Sequence, residues 1–367
     1  MHPYKQFPPR QFWQSTVASR PWAEVLADER GKFTIGPGQA VASAGSCFAQ
    51  RISRLIVDAG LDYRYFEAAH PLLTPASALE HGYGLYSCRY GNIYTPRQLL
   101  QLAREALGRR PPIDAYAQRL DGRWVDLMRP QIDQAGFESR DEAVADRAHH
   151  LRCVATMLAR CDVFIYTLGL TETWFDAAAD VVYGSHPAVT TQRPHPTPLV
   201  PRHLDYIECY NDLVEFFNLV GSVNARVRYI LTVSPVALAA THRDRHVLVA
   251  SSESKAVLRA VAGRFADLMP QVDYFPAFEI FNLAPSFGQF LSADLRDVSP
   301  RGVQVAMANF RRMFIDAPAA AVAAASAAST PVAAPPRAAP AATVQPGAEV
   351  ECDEILNAFF AAAPISA

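Results

Sequence analysis

The strongest constraint on the fold is an alternation of short apolar runs, each closed by small polar residues, with segments whose apolar residues recur at helical spacing. Val41-Ala-Ser-Ala ends in Gly45-Ser46-Cys47, and Phe48, Ile52, Leu55 and Ile56 then mark one helical face. Cys161 to Thr167 ends in Gly169-Leu170-Thr171-Glu172, after a helical stretch through Leu151, Val154, Met157 and Leu158. Val227 to Val233 ends in Ser234-Pro235, and Ser251 to Leu268 carries Val257, Val261, Phe265 and Leu268 at helical spacing. Val272 to Phe275, closed by Pro276, is a fourth strand. Strands separated by helices imply right-handed crossovers and a mainly parallel sheet covered on both faces. The expected class is α/β, a three-layer α/β/α sandwich. Ligands of such sheets bind beyond the carboxyl ends of the strands, so Ser46, Gly169, Thr171 and Ser234 should gather on one edge.

Composition divides the chain. Its 367 residues carry a net charge of −2 and half are hydrophobic. Nucleic-acid binding needs clustered Lys and Arg, so no nucleic-acid partner is expected. No apolar run approaches the ~20 residues that a membrane span requires. The start, Met1-His-Pro-Tyr-Lys, lacks a secretory apolar stretch. Six scattered cysteines without CxxC pairs read as reduced thiols, so the expected location is cytoplasmic. From Ala317 to Ala348 the chain is almost wholly Ala, Pro, Ser, Thr and Val, with Arg337 its one charge. Pro318, Pro331, Pro335, Pro336, Pro340 and Pro346 would break any helix there, so 317–348 is expected to be a disordered linker. In 349–367, Ile355, Leu356, Phe359 and Phe360 share a face of a short helix, which would dock on its own domain or on a partner. Residues 1–32 form an N-terminal extension, and 33–316 the globular domain.

Ser46 has two readings. Gly45 permits a tight turn, so the Ser46 hydroxyl would either face a cleft near the positive end of the following helix or simply cap that helix. Cys47 is a rival nucleophile, since a thiol at a helix start ionises more easily, unless it is buried. Lys255 and Arg259, at i and i+4, form with Ser254 either an anion grip or a solvent-facing stripe. Trp174 either walls a pocket or packs in the core.

Ala44-Gly45-Ser46-Cys47-Phe48-Ala49-Gln50 resembles the signature of the GSCFA family, named for its five central residues. Tyr90-Gly-Asn-Ile-Tyr-Thr-Pro96, Thr167-Leu-Gly-Leu-Thr-Glu-Thr-Trp174 and Thr232-Val-Ser-Pro-Val236 resemble the same family. Ser254-Lys255, Leu258-Arg259 and Tyr274-Phe-Pro with Glu279 extend the likeness, which runs from about Phe33 to Arg312. That family is similar to SGNH/GDSL hydrolases, three-layer α/β/α esterases, acetylhydrolases and O-acyltransferases. The resemblance therefore implies an SGNH-hydrolase-like fold with Ser46 as the nucleophile that accepts an acyl group. It implies that Thr171 stands where those enzymes have an oxyanion-donating Asn, in a turn with Gly169 and Glu172. Gly91 with Asn92 would supply a further oxyanion or substrate contact. Gly169, Glu172, Trp174 and Asn92 are the expected substrate-binding residues.

The pattern departs from those hydrolases at its end. They carry Asp-x-x-His, whereas Asp294-Leu-Arg-Asp297 puts Asp297 at the histidine position. A serine hydroxyl attacks poorly without a base. The base is then another histidine, with His81 first, or the carboxylate of Asp297, or the site binds without turnover. His242 and His246 have the i, i+4 spacing of a zinc pair, but no further ligand has motif spacing, so no metal and no cofactor is expected. His149-His150 reads as a solvated helix face, and His186 and His195 as a Pro-rich lid or surface loop. The expected function is an ester hydrolase or O-acyltransferase using a serine nucleophile on a small-molecule or glycan substrate, carbohydrate-like or lipid-like. The alternative is a non-catalytic carbohydrate- or partner-binding protein that keeps the fold.

Overall fold

The computed structural model describes residues 2–315, so the expected linker 317–348 and C-terminal helix 349–367 lie outside the described residues. In chain order the elements are β1 (Val41–Gly45), α1 (Phe48–Asp58), α2 (Pro75–Glu80), α3 (Pro96–Ala106), β2 (Tyr116–Gln118), β3 (Trp124–Asp126), α4 (Arg140–Arg160) and β4 (Val163–Leu168). There follow β5 (Glu172–Asp176), β6 (Val181–Tyr183), α5 (Pro187–Thr191), β7 (Val200–His203), α6 (Tyr206–Gly221), β8 (Arg228–Val233), α7 (Val247–Leu268), β9 (Val272–Phe275), α8 (Ala277–Asn282) and α9 (Pro300–Phe314).

The central sheet is parallel, in the order β1-β4-β8-β9. Successive side chains of a strand point to opposite faces, and β4 shows the consequence. Phe164, Tyr166 and Leu168 join a core with residues of α3, α4, α6 and α7. Val163 and Ile165 join a second core with Phe48, Ile52 and Ile56 of α1, Phe281 of α8 and Phe310 and Phe314 of α9. Helices therefore cover both faces, which makes the expected three-layer α/β/α arrangement. Each fully buried aromatic or branched chain contributes roughly 1.5–3 kcal/mol. Caps fix where the covering helices begin. Thr95 and Gln98 form a reciprocal capping box on α3, and the Ser299 hydroxyl accepts the Gly302 N–H at 3.1 Å before α9, with Pro300 in the first turn.

One part of the interior is ionic. Arg147 of α4 pairs with Glu105 at 2.8 Å and with Asp126 at 3.3 Å, and Arg129 pairs with Asp126 at 2.7 Å and Asp146 at 2.8 Å. His150 Nδ1 lies 2.6 Å from Glu67 and is fully buried, not on the solvated face that its charged neighbours suggest. This network ties α4 to the β2–β3 hairpin. Two small sheets lie outside the central one, the β2–β3 hairpin and an antiparallel β6-β5-β7 sheet. No described helix is long and apolar enough to cross a membrane.

The register sets the site. Gly45 lies opposite Thr167, Thr167 opposite Thr232, and Leu168 opposite Val233. Ser46, Gly169 and Ser234 consequently leave the sheet side by side at its carboxyl edge.

Candidate active site

Gly45 makes the turn that Ser46 depends on. Its φ is +134°, and a Cβ there would lie 2.3 Å from the Thr167 carbonyl oxygen. Only glycine fits beside β4 in that conformation. Ser46 follows at 3 % exposure, and its Oγ has no hydrogen-bond partner. It does not cap α1: the N-cap position is Cys47, and no side chain caps that helix. The Ser46 amide donates to the Thr167 carbonyl at 3.3 Å. Cys47, the rival nucleophile, is half-buried and does not line the cavity into which Ser46 opens. Cys88, Cys153, Cys161 and Cys209 are free thiols.

Ser46 opens into a cavity of about 580 Å³ beyond the carboxyl ends of β1, β4 and β8. Gly169 and Ser234 line it with Ser46, and so do Tyr94, Trp174 and His186. The segment from Val236 to His242 supplies a largely apolar wall, and Arg296 also lines the space. Trp174 owes its place to β5, which pairs with both β6 and β7 and carries the indole into the cavity wall.

Glu172, at the start of β5, is engaged within the cavity. Its carboxylate accepts the Thr241 hydroxyl at 2.6 Å and the His242 backbone N–H at 3.2 Å. The His242 ring presents Nε2 at 3.7 Å from the same carboxylate. In the neutral ring, a proton on Nε2 facing Glu172 leaves the Nδ1 lone pair as the basic atom. His186 has the same tautomer, but its lone pair is already taken. Its Nδ1 accepts the Ala188 N–H at 3.1 Å, so Nε2 carries the proton. Burial, together with the nearby charge of His195, lowers its pKa.

Other expected site residues lie elsewhere. Thr171 is buried, but its hydroxyl donates to Ser254 at 2.9 Å and lies 2.8 Å from His203 Nδ1, away from the cavity lining. Asn92 accepts the Tyr86 hydroxyl at 2.6 Å and donates to Gln131, and neither it nor Gly91 lines the cavity. His81 closes α2 and sits 2.9 Å from Asp133. Asp294 spends one oxygen on the backbone N–H groups of Arg296 and Asp297, each at 3.1 Å. The Asp297 side chain is 54 % exposed and paired with Arg296 at 3.0 Å. His246 caps α7 through its Nδ1, ahead of the first helical residue, so it shares no helix face with His242. Among the described residues no group of three or more His, Cys, Asp or Glu is arranged to hold a metal.

Arg296 and Lys255 are the cations of this region. Lys255 of α7 is 3 % exposed, and its ammonium donates to the Gly169 carbonyl at 2.6 Å. Burial, reinforced by the Arg296 charge, pulls its pKa down to about 7. The grip expected of Lys255, Arg259 and Ser254 does not form. Arg259 pairs with Glu279 and lies over the Tyr274 ring, while Ser254 holds Thr171.

An α/β/α domain with a buried, unpartnered serine at the carboxyl edge of a parallel sheet is the class defined here. Residues 40–310 match the model of the GSCFA family, and the chain belongs to that family. No curated protein matches the sequence. Among solved structures, it is similar to a carbohydrate esterase family 3 from Talaromyces cellulolyticus, at 10% identity and TM-score 0.34, over 74% of this chain and 94% of that one. It is also similar to an acetyl esterase mutant with acetate ion, at 12% identity and TM-score 0.33, over 74% and 93% of the two chains.

Proposed function

We propose that this chain cleaves or transfers acyl esters, with Ser46 as nucleophile, His242 as general base and Glu172 orienting the imidazole. The observation that carries the reading is that Ser46 Oγ, buried and without a partner, opens into the same cavity as His242 and Glu172. Leaving a buried hydroxyl unpaired costs roughly 1–3 kcal/mol. Such an exception calls for an explanation, and a catalytic role is one. His242 is favoured over His186 because its ring faces the Glu172 carboxylate, with Nε2 at 3.7 Å, whereas the His186 Nδ1 is already used by a backbone N–H. His81 and Asp297 are set aside because neither lines the cavity.

In the reaction, Ser46 Oγ bonds to the acyl carbonyl carbon while its proton passes to His242. The tetrahedral intermediate collapses, the ester C–O bond breaks, and the alcohol leaves with that proton. Water then releases the acyl group as acid, or a second hydroxyl takes it as a new ester. The apolar wall suits a short acyl chain, and the alcohol is a hydroxyl of a small molecule or glycan.

A fluorophosphonate probe tests this. Wild type should label, Ser46→Ala should not, and His242→Gln should label about 100-fold more slowly or worse. An unlabelled wild type, or a Ser46→Ala protein that still labels, overturns the assignment. The first result would favour the non-catalytic binding alternative.

A further inference from the structure

The turn that carries Arg296 is tightly held. Leu291 and Val298 bridge its two sides, the Ser292 N–H donates to the Asp297 carbonyl at 2.7 Å, and Asp294 binds two successive backbone amides. Leu295 sits at φ +55°, a left-handed conformation unfavourable for a side chain of that bulk. It is 69 % exposed, whereas Arg296, the next residue, lines the cavity. The backbone thus holds an uncommon conformation, and the residue that follows is a cation facing the ligand space.

Arg296 is only partly satisfied there. Its Nη1 donates to Asp297 on the solvent side, but its Nε is buried and has no hydrogen-bond partner. The Nε edge of a guanidinium is one that grips carboxylate or phosphate oxygens in a fork. Behind it, Lys255 donates to a backbone carbonyl and forms no ion pair among the described residues. The cavity's carboxylate, Glu172, is committed to Thr241 and His242. A guanidinium that lines the cavity, keeps one unpartnered N–H and has its one ion-pair partner half exposed to solvent describes a place for an anion, since buried charge is stable only when paired.

We propose that Arg296, backed by Lys255, is an anion-binding subsite, and that the ligand of this cavity carries a carboxylate or phosphate group. As a statement about substrate it rests on the ester-cleaving reading above; the anion site itself is testable without turnover. Lys255 acts as a positioning residue, holding the Gly169 turn and adding positive field.

The experiment is calorimetric titration of full-length Ser46→Ala protein with inorganic phosphate and, separately, with succinate, at constant ionic strength. Saturable binding of at least one anion is expected, phosphate alone pointing to a phosphorylated ligand and succinate alone to a carboxylate. Adding Arg296→Gln should weaken that binding by about tenfold or more, while Arg296→Lys, which keeps the charge and loses the fork, should fall between. Urea unfolding of each variant checks that the fold persists, and the Arg296→Lys protein carries the test if Arg296→Gln does not fold. Absence of saturable binding by either anion at millimolar concentration overturns the proposal, as does an Arg296→Gln protein that binds as before. Anion binding alongside failed fluorophosphonate labelling would overturn the esterase reading alone. Labelling without anion binding would remove only the anion site.

Discussion

Replacing Gly45 by alanine should strike both stability and the candidate nucleophile, and the structure sets the size of each effect. The new Cβ would meet the Thr167 carbonyl oxygen at 2.3 Å and the Thr167 Cβ and amide nitrogen at 2.8 Å, against ordinary contact from 3.4 Å. Relief needs a movement of about 1 Å between β1 and β4, where Gly45 pairs with Thr167. Forcing an extra methyl into such a contact costs roughly 1–3 kcal/mol. The φ of +134° adds roughly 1–3 kcal/mol of backbone strain for an L side chain. A total near 2–6 kcal/mol is a large part of a domain's stability of roughly 5–15 kcal/mol. Since Ser46 is the next residue, a displacement of that order should also slow fluorophosphonate labelling about 100-fold. Gly91→Ala is the control: φ is +67°, but nothing lies within 4 Å of the added Cβ. It should lose only about 1–2 kcal/mol and label at the wild-type rate. Urea unfolding with an unchanged denaturant slope gives the stability term. A Gly45→Ala protein as stable as wild type and labelled at the same rate would refute the claim that this contact builds the site.

Two further predictions concern the ionic interior. Arg147→Met should lower unfolding free energy by about 3–5 kcal/mol, because Glu105 and Asp126 remain buried with one partner fewer; a loss below about 1 kcal/mol in urea titrations would contradict this. The Glu67–His150 pair should make the fold acid-sensitive. Burial and the charge of Arg129 hold the His150 pKa down to about 4 in the folded protein, from 6.5, despite the opposing pull of Glu67. Burial would raise the Glu67 pKa, but the His150 hydrogen bond and the Arg129 charge outweigh it and hold the carboxyl below its usual range. In both cases the unfolded chain takes up protons first, so stability falls as pH drops from about 6.5 towards 4 and continues to fall below that. His150→Gln, which can still donate to Glu67 but does not titrate, should flatten the urea midpoint between those pH values; an unaltered pH profile would rule the histidine out.

How much was legible follows from where each signal resides. The four strands of the central sheet were readable because an apolar run beside a helical face is a local pattern, and their observed ends fall within two residues of the expected ones. The small β6-β5-β7 sheet was not. Trp174 follows the turn at Gly169–Glu172 with no strand pattern of its own, and only pairing with Val200–His203, across a Pro-rich segment, makes its neighbourhood a strand. His150 read as solvent-facing because its sequence neighbours are charged, while its burial comes from Glu67, far away in the chain. Arg296 was hidden between Asp294 and Asp297, whose spacing drew attention to a histidine position that holds no histidine.

By itself the sequence determined the layering of the fold and the place of Ser46. Side-chain periodicity chooses between strand and helix, and a glycine before a serine at a strand end is a local constraint on the backbone. Only the tertiary structure decided what surrounds that serine. It turned the Thr171 hydroxyl toward Ser254, brought Glu172 and His242 to one cavity, and aimed Arg296 inward from a left-handed turn. These are relations between side chains distant in sequence, set by strand register and loop packing, and no local spacing encodes them.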